Sequence, residues 1–143
     1  MTNNAPVVVE QIFPVSIDIV WHAITDPDQM RQWFFEKISA FKAEVGFKTK
    51  FNVKSEGRDF MHLWTIIEVI LLKKISYNWR YEGYTGNSFV HFELFDQGVS
   101  TKLRVTAEGI ETFPQDIPEF KRESCKAGWE YFIKERLKEF IEK

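Results

Sequence analysis

Apolar side chains follow two different periods along this chain. In the last part of the sequence, Trp129, Ile133 and Leu137 belong to a set with three- and four-residue spacing, which predicts one long amphipathic helix at the C-terminus. Through the middle, segments such as residues 47–53 and 75–81 alternate apolar and polar side chains, which is typical of half-buried strands. A helix that follows strands must cover the sheet, because its apolar face has no other surface to bury against.

The first part of the chain predicts one strand and two short helices. Residues 7–13 are β-branched and apolar, which favours a strand. Ser16 is placed to cap a short amphipathic helix, and Asp26, followed by Pro27, is placed to cap a second one. Asp116 offers a cap for the C-terminal helix.

Short connections separate the remaining strands, so we predict antiparallel pairing, because parallel strands need long crossovers. The predicted fold class is α+β: a curved antiparallel sheet of about six to seven strands that grips one long C-terminal helix, with two short helices between strands 1 and 2. The strands after the short helices are predicted at residues 38–45, 47–53, 60–70, 75–81, 90–94 and 103–107.

Composition limits the class of protein. A length of 143 residues fits a single domain over residues 1–143, and 44% hydrophobic with 28% charged residues is typical of a soluble globular protein. The net charge of -2 gives no field for nucleic acid or an anionic membrane. The single cysteine, Cys125, excludes an internal disulfide, and residues 1–6 carry no secretory pattern, so we expect a cytoplasmic protein. The oligomeric state is left open.

The order of elements resembles the helix-grip fold of the START-like superfamily, also called SRPBCC or Bet v-like. Residues 20–33, 75–79, 98–105 and 128–133 are similar to its sequence motifs, and the branch named for the activator of heat-shock-protein ATPase is the most similar. Arg136 is a departure, since the family often has leucine there.

The aromatic share of 16% fits a well-filled core, or a core that also walls a pocket. The resemblance implies a cavity between the sheet and the C-terminal helix, and inward-facing aromatic residues would line it. Ligand sites are concave and mostly apolar. We expect no cofactor. The predicted ligand-binding wall consists of Trp33, Phe51, Met61, Tyr77, Trp79, Tyr81, Phe92 and Phe132.

Catalytic and metal chemistry find little support in the sequence. The three histidines lack metal-ligand spacing, so we expect no metal site, and Cys125 is best explained as a small buried thiol. Arg80 and Arg104 fall in the outward phase of their strands, and the lysine-rich residues 42–54 are interpreted as edge protection. No catalytic residue is therefore assigned. The candidates by residue type are Glu123, Arg104, Arg80, Tyr77, Tyr81, Tyr131 and His62.

Three functional hypotheses remain. The first is a domain that binds an unidentified hydrophobic small molecule without catalysis. The second, implied by the resemblance, is an interaction module that activates a chaperone ATPase. The third is a cyclase or hydrolase that acts on an aromatic or polyketide-like substrate, as some relatives with this fold do. Whether the protein is an enzyme stays uncertain, and the sequence leans towards no enzymatic activity.

Overall fold

A computed structural model describes residues 5–142, and the first four residues, part of the segment expected to carry no secretory pattern, lie outside this description. Helices α1 (Ile17–Thr25) and α2 (Pro27–Trp33) lie between the first and second strands, as predicted. The strands are β1 (Val7–Phe13), β2 (Lys48–Ser55), β3 (Arg58–Ile70), β4 (Lys74–Tyr81), β5 (Ser88–Asp96) and β6 (Thr101–Glu108).

The strands form one antiparallel sheet in the order β1-β6-β5-β4-β3-β2. From β2 to β6 each strand pairs with its neighbour in sequence, and β1 pairs with the free edge of β6. A register shift between Ile66 and Glu68 marks a bulge where β3 meets β4, and bulges bend a strand and increase its twist. The predicted curved antiparallel sheet is confirmed, with six strands.

One face of the sheet is buried beneath the C-terminal helix. On β5, Val90 and Phe92 are buried, whereas His91 and Glu93 on the opposite phase are partly exposed. The same alternation runs along β6. The two-residue period seen in the sequence therefore separates an inner apolar face from an outer polar face.

The C-terminal helix covers residues 122–141 and confirms the predicted long helix. It packs along β1 and reaches α2 near its middle. No helix within residues 5–142 combines the length and the apolar character needed to cross a membrane.

The winding of the C-terminal helix changes along its length. Its first and last parts, Arg122–Glu130 and Lys138–Ile141, are α-helical, but the central part, Tyr131–Leu137, is π-helical. The buried residues Trp129, Ile133 and Leu137 recur every four residues. Because an α-helix turns once in 3.6 residues, a four-residue repeat drifts around it, and the wider π-helical turn offsets that drift.

The predicted strand at residues 38–45 is wrong, because these residues form an irregular connection. The Arg31 side chain donates hydrogen bonds to the carbonyls of Ile38 at 2.7 Å and Ser39 at 3.2 Å, and so uses acceptors that strand pairing would need. Gly46, with φ of 92°, then turns the chain towards β2.

The predicted helix caps also differ from the structure. The Ser16 hydroxyl donates to the Asp18 carboxylate at 2.5 Å instead of capping α1. Asp26 makes no side-chain cap on α2, and its backbone N–H closes α1 by donating to the His22 carbonyl. Asp116 lies before a 3₁₀ turn, Pro118–Phe120, and the C-terminal helix begins only after that turn.

Candidate functional site

Side chains fill the space between the sheet and the C-terminal helix. Phe34, which ends α2, lies at the centre of this interior. Its ring centroid is 5.6 Å from that of Trp64 on β3 and 5.6 Å from that of Trp129 on the C-terminal helix. The ring of Phe92 on β5 meets the Phe34 ring edge-on, with the two centroids 6.5 Å apart.

Among residues 5–142, the cavity that the resemblance implied between the sheet and the C-terminal helix is therefore not found here as a ligand-sized space. A void of about 40 Å³ lies near Trp79, Phe120 and Trp129. A water molecule takes up about 30 Å³ in the liquid, so this void has no room for an organic ligand.

The predicted wall residues do not all surround one space, although Trp79 and Tyr81 both line the small void. Tyr77, Trp79 and Phe92 are buried on the inner face of the sheet. Trp33 is fully buried, and its Nε1 donates to the Ala23 carbonyl at 2.7 Å, which holds α2 against α1. Phe132 is half-buried on the C-terminal helix, where its ring centroid is 4.9 Å from that of Phe34.

Two predicted wall residues lie elsewhere. Tyr81 is half-buried and packs with Phe60, Phe113 and Phe120 in a second aromatic cluster at one end of the sheet. Met61 is half-buried in the opposite phase of β3 from the buried His62, and so lies on the outer face. The nearly continuous apolar run of β3 concealed which phase points inward.

A surface groove of about 850 Å³ opens beside this packed interior, between the end of α2, β2 and the C-terminal helix. We call it the Phe35 groove. Its apolar lining is Phe34, Phe35, Phe51 and Val53. Of the predicted wall residues, Phe51 alone is among its lining.

Phe35 separates the groove from the interior. The residue is half-buried, and its ring centroid is 5.3 Å from that of Phe51 on the groove side. On the inner side the Phe35 centroid is 5.0 Å from that of Phe132 and 6.2 Å from that of Trp64. One aromatic side chain thus stands between solvent and the core rings.

Basic side chains dominate the polar lining of the Phe35 groove. Arg31 donates to the Asp28 carboxylate at 2.8 Å in addition to its backbone contacts. Arg136, from the π-helical turn, donates to the Gln32 carbonyl at 2.7 Å, which joins the C-terminal helix to α2. The charged residues that line the groove are Arg31, Glu36, Lys37, Lys50, Lys54 and Arg136.

Two polar groups on interior rings are buried without a hydrogen-bond partner among residues 5–142: Trp64 Nε1, on the ring that Phe35 contacts, and Tyr77 Oη. The two rings are neighbours, with centroids 5.0 Å apart. Burial raises the pKa of Tyr77, so its hydroxyl keeps its proton and remains a donor. A buried donor without a partner costs free energy, and such groups commonly mark a site where an acceptor can bind.

His62 lies beside the same rings and is neutral. Burial lowers its pKa from 6.5 to about 4. Its Nδ1 donates to the Phe60 carbonyl, since a carbonyl can only accept, and the atoms are 2.9 Å apart. The Nε2 atom therefore carries a lone pair and can accept a hydrogen bond.

The remaining candidates lie outside the groove. Arg104 is on the outer face, where it donates to Glu10 at 2.5 Å. Burial raises the pKa of the half-buried Cys125 to about 11, which leaves little thiolate for nucleophilic attack. Among residues 5–142, no group of three or more His, Cys, Asp or Glu side chains could hold a metal ion.

Sequence reasoning missed most of the groove. Phe34 and Phe35 follow α2 directly, and that aromatic pair was the available signal. Lys50 and Lys54 were interpreted as edge protection, although they line the groove. The contribution of Arg136 comes from a distant segment that no local pattern connects to β2.

Solved structures share this fold over the whole chain. Protein CV1439 from Chromobacterium violaceum is 21% identical, with a TM-score of 0.80 over 97% of this chain and 98% of that protein. Protein MLL2253 from Mesorhizobium loti is 25% identical, with a TM-score of 0.73 over 96% of each chain. DynU16, described as a putative protein in the dynemicin biosynthetic locus, is 26% identical with a TM-score of 0.76. That match covers 98% of this chain and 48% of DynU16.

No curated protein matches the chain. The sequence profile of one protein family matches residues 14–142, which is nearly the whole length. The helix-grip architecture agrees with that match. The chain therefore belongs to the family described as activator of Hsp90 ATPase homolog 1-like proteins.

Proposed function

We propose that the protein binds an apolar small molecule in the Phe35 groove. The observation that carries this proposal is the volume of the groove, about 850 Å³, together with the aromatic rings in its lining. The fold is also compatible with ligand binding. Small-molecule sites are typically concave and of this size, with apolar surface for the ligand body and polar groups that fix its orientation. The ligand lies on the half-buried Phe35 ring, which Phe51 supports from the buried side, and removes the exposed carbon of Phe35 from water.

The interior offers a second reason to place the ligand here. The Phe35 ring packs against Trp64, whose Nε1 has no partner among the described residues, so a ligand acceptor atom that displaces Phe35 would find a free donor nearby. The hydrogen bond formed there would offset the free energy that this buried donor costs in the unliganded protein. Phe35 is suited to this movement because it is half-buried rather than locked in the core.

We assign binding rather than turnover. Among the described residues that line the groove, Glu36 is the single carboxylate and no histidine or cysteine is present. General acid–base catalysis needs a positioned donor and acceptor with suitable pKa values. The cyclase or hydrolase hypothesis draws support from the likeness to DynU16, whose description mentions a biosynthetic locus. The groove supplies no matching pair of groups.

The test is a fluorescence titration with N-phenyl-1-naphthylamine, a neutral apolar probe that brightens in apolar sites. We expect saturable binding to the wild-type protein. Phe35→Glu places a charge on the groove floor and should weaken binding at least about tenfold, which is about 1.4 kcal/mol. Val99→Glu is the matched control, because Val99 is 89% exposed on the turn between β5 and β6. The proposal fails if the folded wild-type protein shows no saturation, or if Phe35→Glu binds as tightly as Val99→Glu.

A second candidate function is binding to a chaperone. The turn between β3 and β4 exposes apolar side chains, with Leu71 71% and Ile70 45% exposed, beside a depression of about 680 Å³ that Phe95 also lines. Contiguous exposed apolar surface commonly marks a protein-interaction site. The family description, which names activators of the Hsp90 ATPase, gives the partner to test.

A purified Hsp90-class chaperone provides that test. If this surface binds it, the protein forms a complex and changes the chaperone's ATPase rate, and Leu71→Asp abolishes both effects. Val45→Asp is the control, because Val45 is 65% exposed and lies outside this surface. An unchanged ATPase rate together with no complex would exclude this second function and leave ligand binding unaffected.

A further inference from the structure

The charge of the Phe35 groove differs in sign from that of the whole protein. The chain has a formal net charge of -2. The groove, however, is lined by five basic residues and by Glu36 as its only acid among residues 5–142. A concave surface lined by one sign of charge concentrates ligands of the opposite sign.

The basic residues are not equally available to a ligand. Arg31 is held by Asp28 and two backbone carbonyls, and Lys54 has the Asp59 carboxylate 4.0 Å away. Lys37 and Lys50 have no acidic partner within 4.0 Å in the part of the chain that the structure describes. Arg136 also lacks an acidic partner among the described residues, but its guanidinium donates to the Gln32 carbonyl. The Lys37 and Lys50 ammonium groups are therefore the groove charges that neither an acid nor a carbonyl engages in the described chain.

Apolar and cationic surfaces meet within this one groove. Lys37 and Lys50 line the same groove as the rings of Phe35 and Phe51. Ammonium groups bind carboxylates and phosphates through charge-assisted hydrogen bonds. Aromatic rings that lie beside them provide a place for an apolar body.

We infer that the groove binds an amphipathic organic anion, with its apolar body on the half-buried Phe35 ring and a single carboxylate or phosphate at Lys37 and Lys50. This inference rests on the proposed function, since it specifies the ligand of the same site. It adds that the charged end, and not the apolar body alone, selects the ligand.

Competition against N-phenyl-1-naphthylamine tests the inference with matched ligands. Decanoate and 1-decanol have the same chain length and differ in charge. We expect decanoate to displace the probe at a concentration at least about tenfold lower than decanol. Raising the salt concentration from about 50 mM to about 300 mM should weaken displacement by decanoate and leave decanol unchanged. Decyl phosphate should behave as decanoate does.

Lysine variants test whether Lys37 and Lys50 cause the preference for decanoate. The double variant Lys37→Gln/Lys50→Gln should bring decanoate to the level of decanol while the probe still binds. The control Lys42→Gln/Lys48→Gln removes the same charge from exposed residues outside the groove lining and should retain the preference. An equal loss in both double variants would overturn the inference, because it would indicate general attraction rather than a site.

The outcomes also separate the two proposals. If the probe binds and decanol displaces it as well as decanoate does, the anionic ligand is excluded and the apolar site stands. If inorganic phosphate alone displaces the probe as well as decanoate does, the amphipathic ligand is excluded. If the probe does not bind at all, both proposals fail.

Discussion

The rings of Phe51 and His62 stack with their centroids 4.8 Å apart and their planes 17° apart. This contact fixes a histidine among aromatic side chains, where Tyr81 and Trp79 approach it from β4 at 4.8 Å and 5.5 Å. An imidazolium in this position would lose most of its hydration, which is why the pKa of His62 falls to about 4.

The stability of the protein should therefore decrease in mild acid. The unfolded chain binds a proton at this imidazole below pH 6.5, whereas the folded chain does so only near pH 4. The contribution of the neutral His62 to the free energy of unfolding is thus complete above pH 6.5 and is lost as the pH falls towards 4. Urea unfolding should show a decrease of about 2 kcal/mol from about pH 7.5 to about pH 5 that depends on this residue.

His62→Phe should remove that part of the pH dependence, because the ring is retained and the titrating group is not. His22→Gln is the control, since His22 is exposed on α1 and should retain the wild-type slope. A His62→Phe protein with an unchanged slope would show that other groups cause the acid sensitivity.

The indole N–H groups of two buried tryptophans should contribute differently to the free energy of unfolding. Trp33 donates to the Ala23 carbonyl, one of the carbonyls at the end of α1 that has no partner within the helix, whereas Trp64 Nε1 has no partner. Trp33→Phe should therefore cost about 1–2 kcal/mol more than Trp64→Phe in urea unfolding. Both residues are at most 1% exposed, so the lost ring volume is comparable. Equal costs would contradict a stabilising role for the Trp33 hydrogen bond.

Gly109 and Gly98 provide a matched pair for backbone sterics, because both have φ of 80°. A Cβ atom at Gly109 would lie 2.5 Å from the Asn87 carbonyl oxygen, whereas at Gly98 nothing lies within 4 Å. Gly98→Ala should cost about 1 kcal/mol from the left-handed conformation alone. Gly109→Ala should cost at least about 2 kcal/mol more, because backbone must move. Thermal or urea unfolding of both variants measures the difference, and similar midpoints would refute it.

Cys125 should react slowly in the native protein. Its pKa of about 11, against an ordinary value of 9.0, reduces the thiolate fraction at about pH 8 by about a hundredfold. Alkylation by iodoacetamide should therefore be at least about a hundredfold slower in buffer than in urea. Moving the thiol to the exposed neighbouring position with Ser124→Cys/Cys125→Ser should restore fast labelling. Fast labelling of the wild-type protein would show that the helix opens readily at this point.

The sequence was sufficient to predict the elements in which buried residues recur at a regular interval. Strands β4 to β6 each have one buried and one solvated face, so alternation revealed them. In β3 the outer residues Met61 and Leu63 are also apolar, so the sequence did not show which of its side chains point inward. The connection at residues 38–45 was mistaken for a strand because local sequence does not show that Arg31 engages the carbonyls of Ile38 and Ser39, which strand pairing would use.

The groove was beyond sequence reasoning for a related reason. Its lining comes from the end of α2, from β2 and from Arg136 on the C-terminal helix, and tertiary packing alone brings these segments together. Whether inward aromatic residues enclose a space or fill it depends on side-chain volumes across the interior. In this protein the Phe34 ring fills the centre of the interior, between Trp64 and Trp129.

The π-helical turn at Tyr131–Leu137 has a consequence for comparing relatives of different length. A turn wound with more residues than an α-helix can lose one of them and rewind regularly, while Trp129 before it and Phe140 after it keep their orientation. A single-residue gap in an alignment is therefore best placed there. Because Arg136 lies in this turn and donates to the Gln32 carbonyl, a deletion there can change which side chain joins the C-terminal helix to α2.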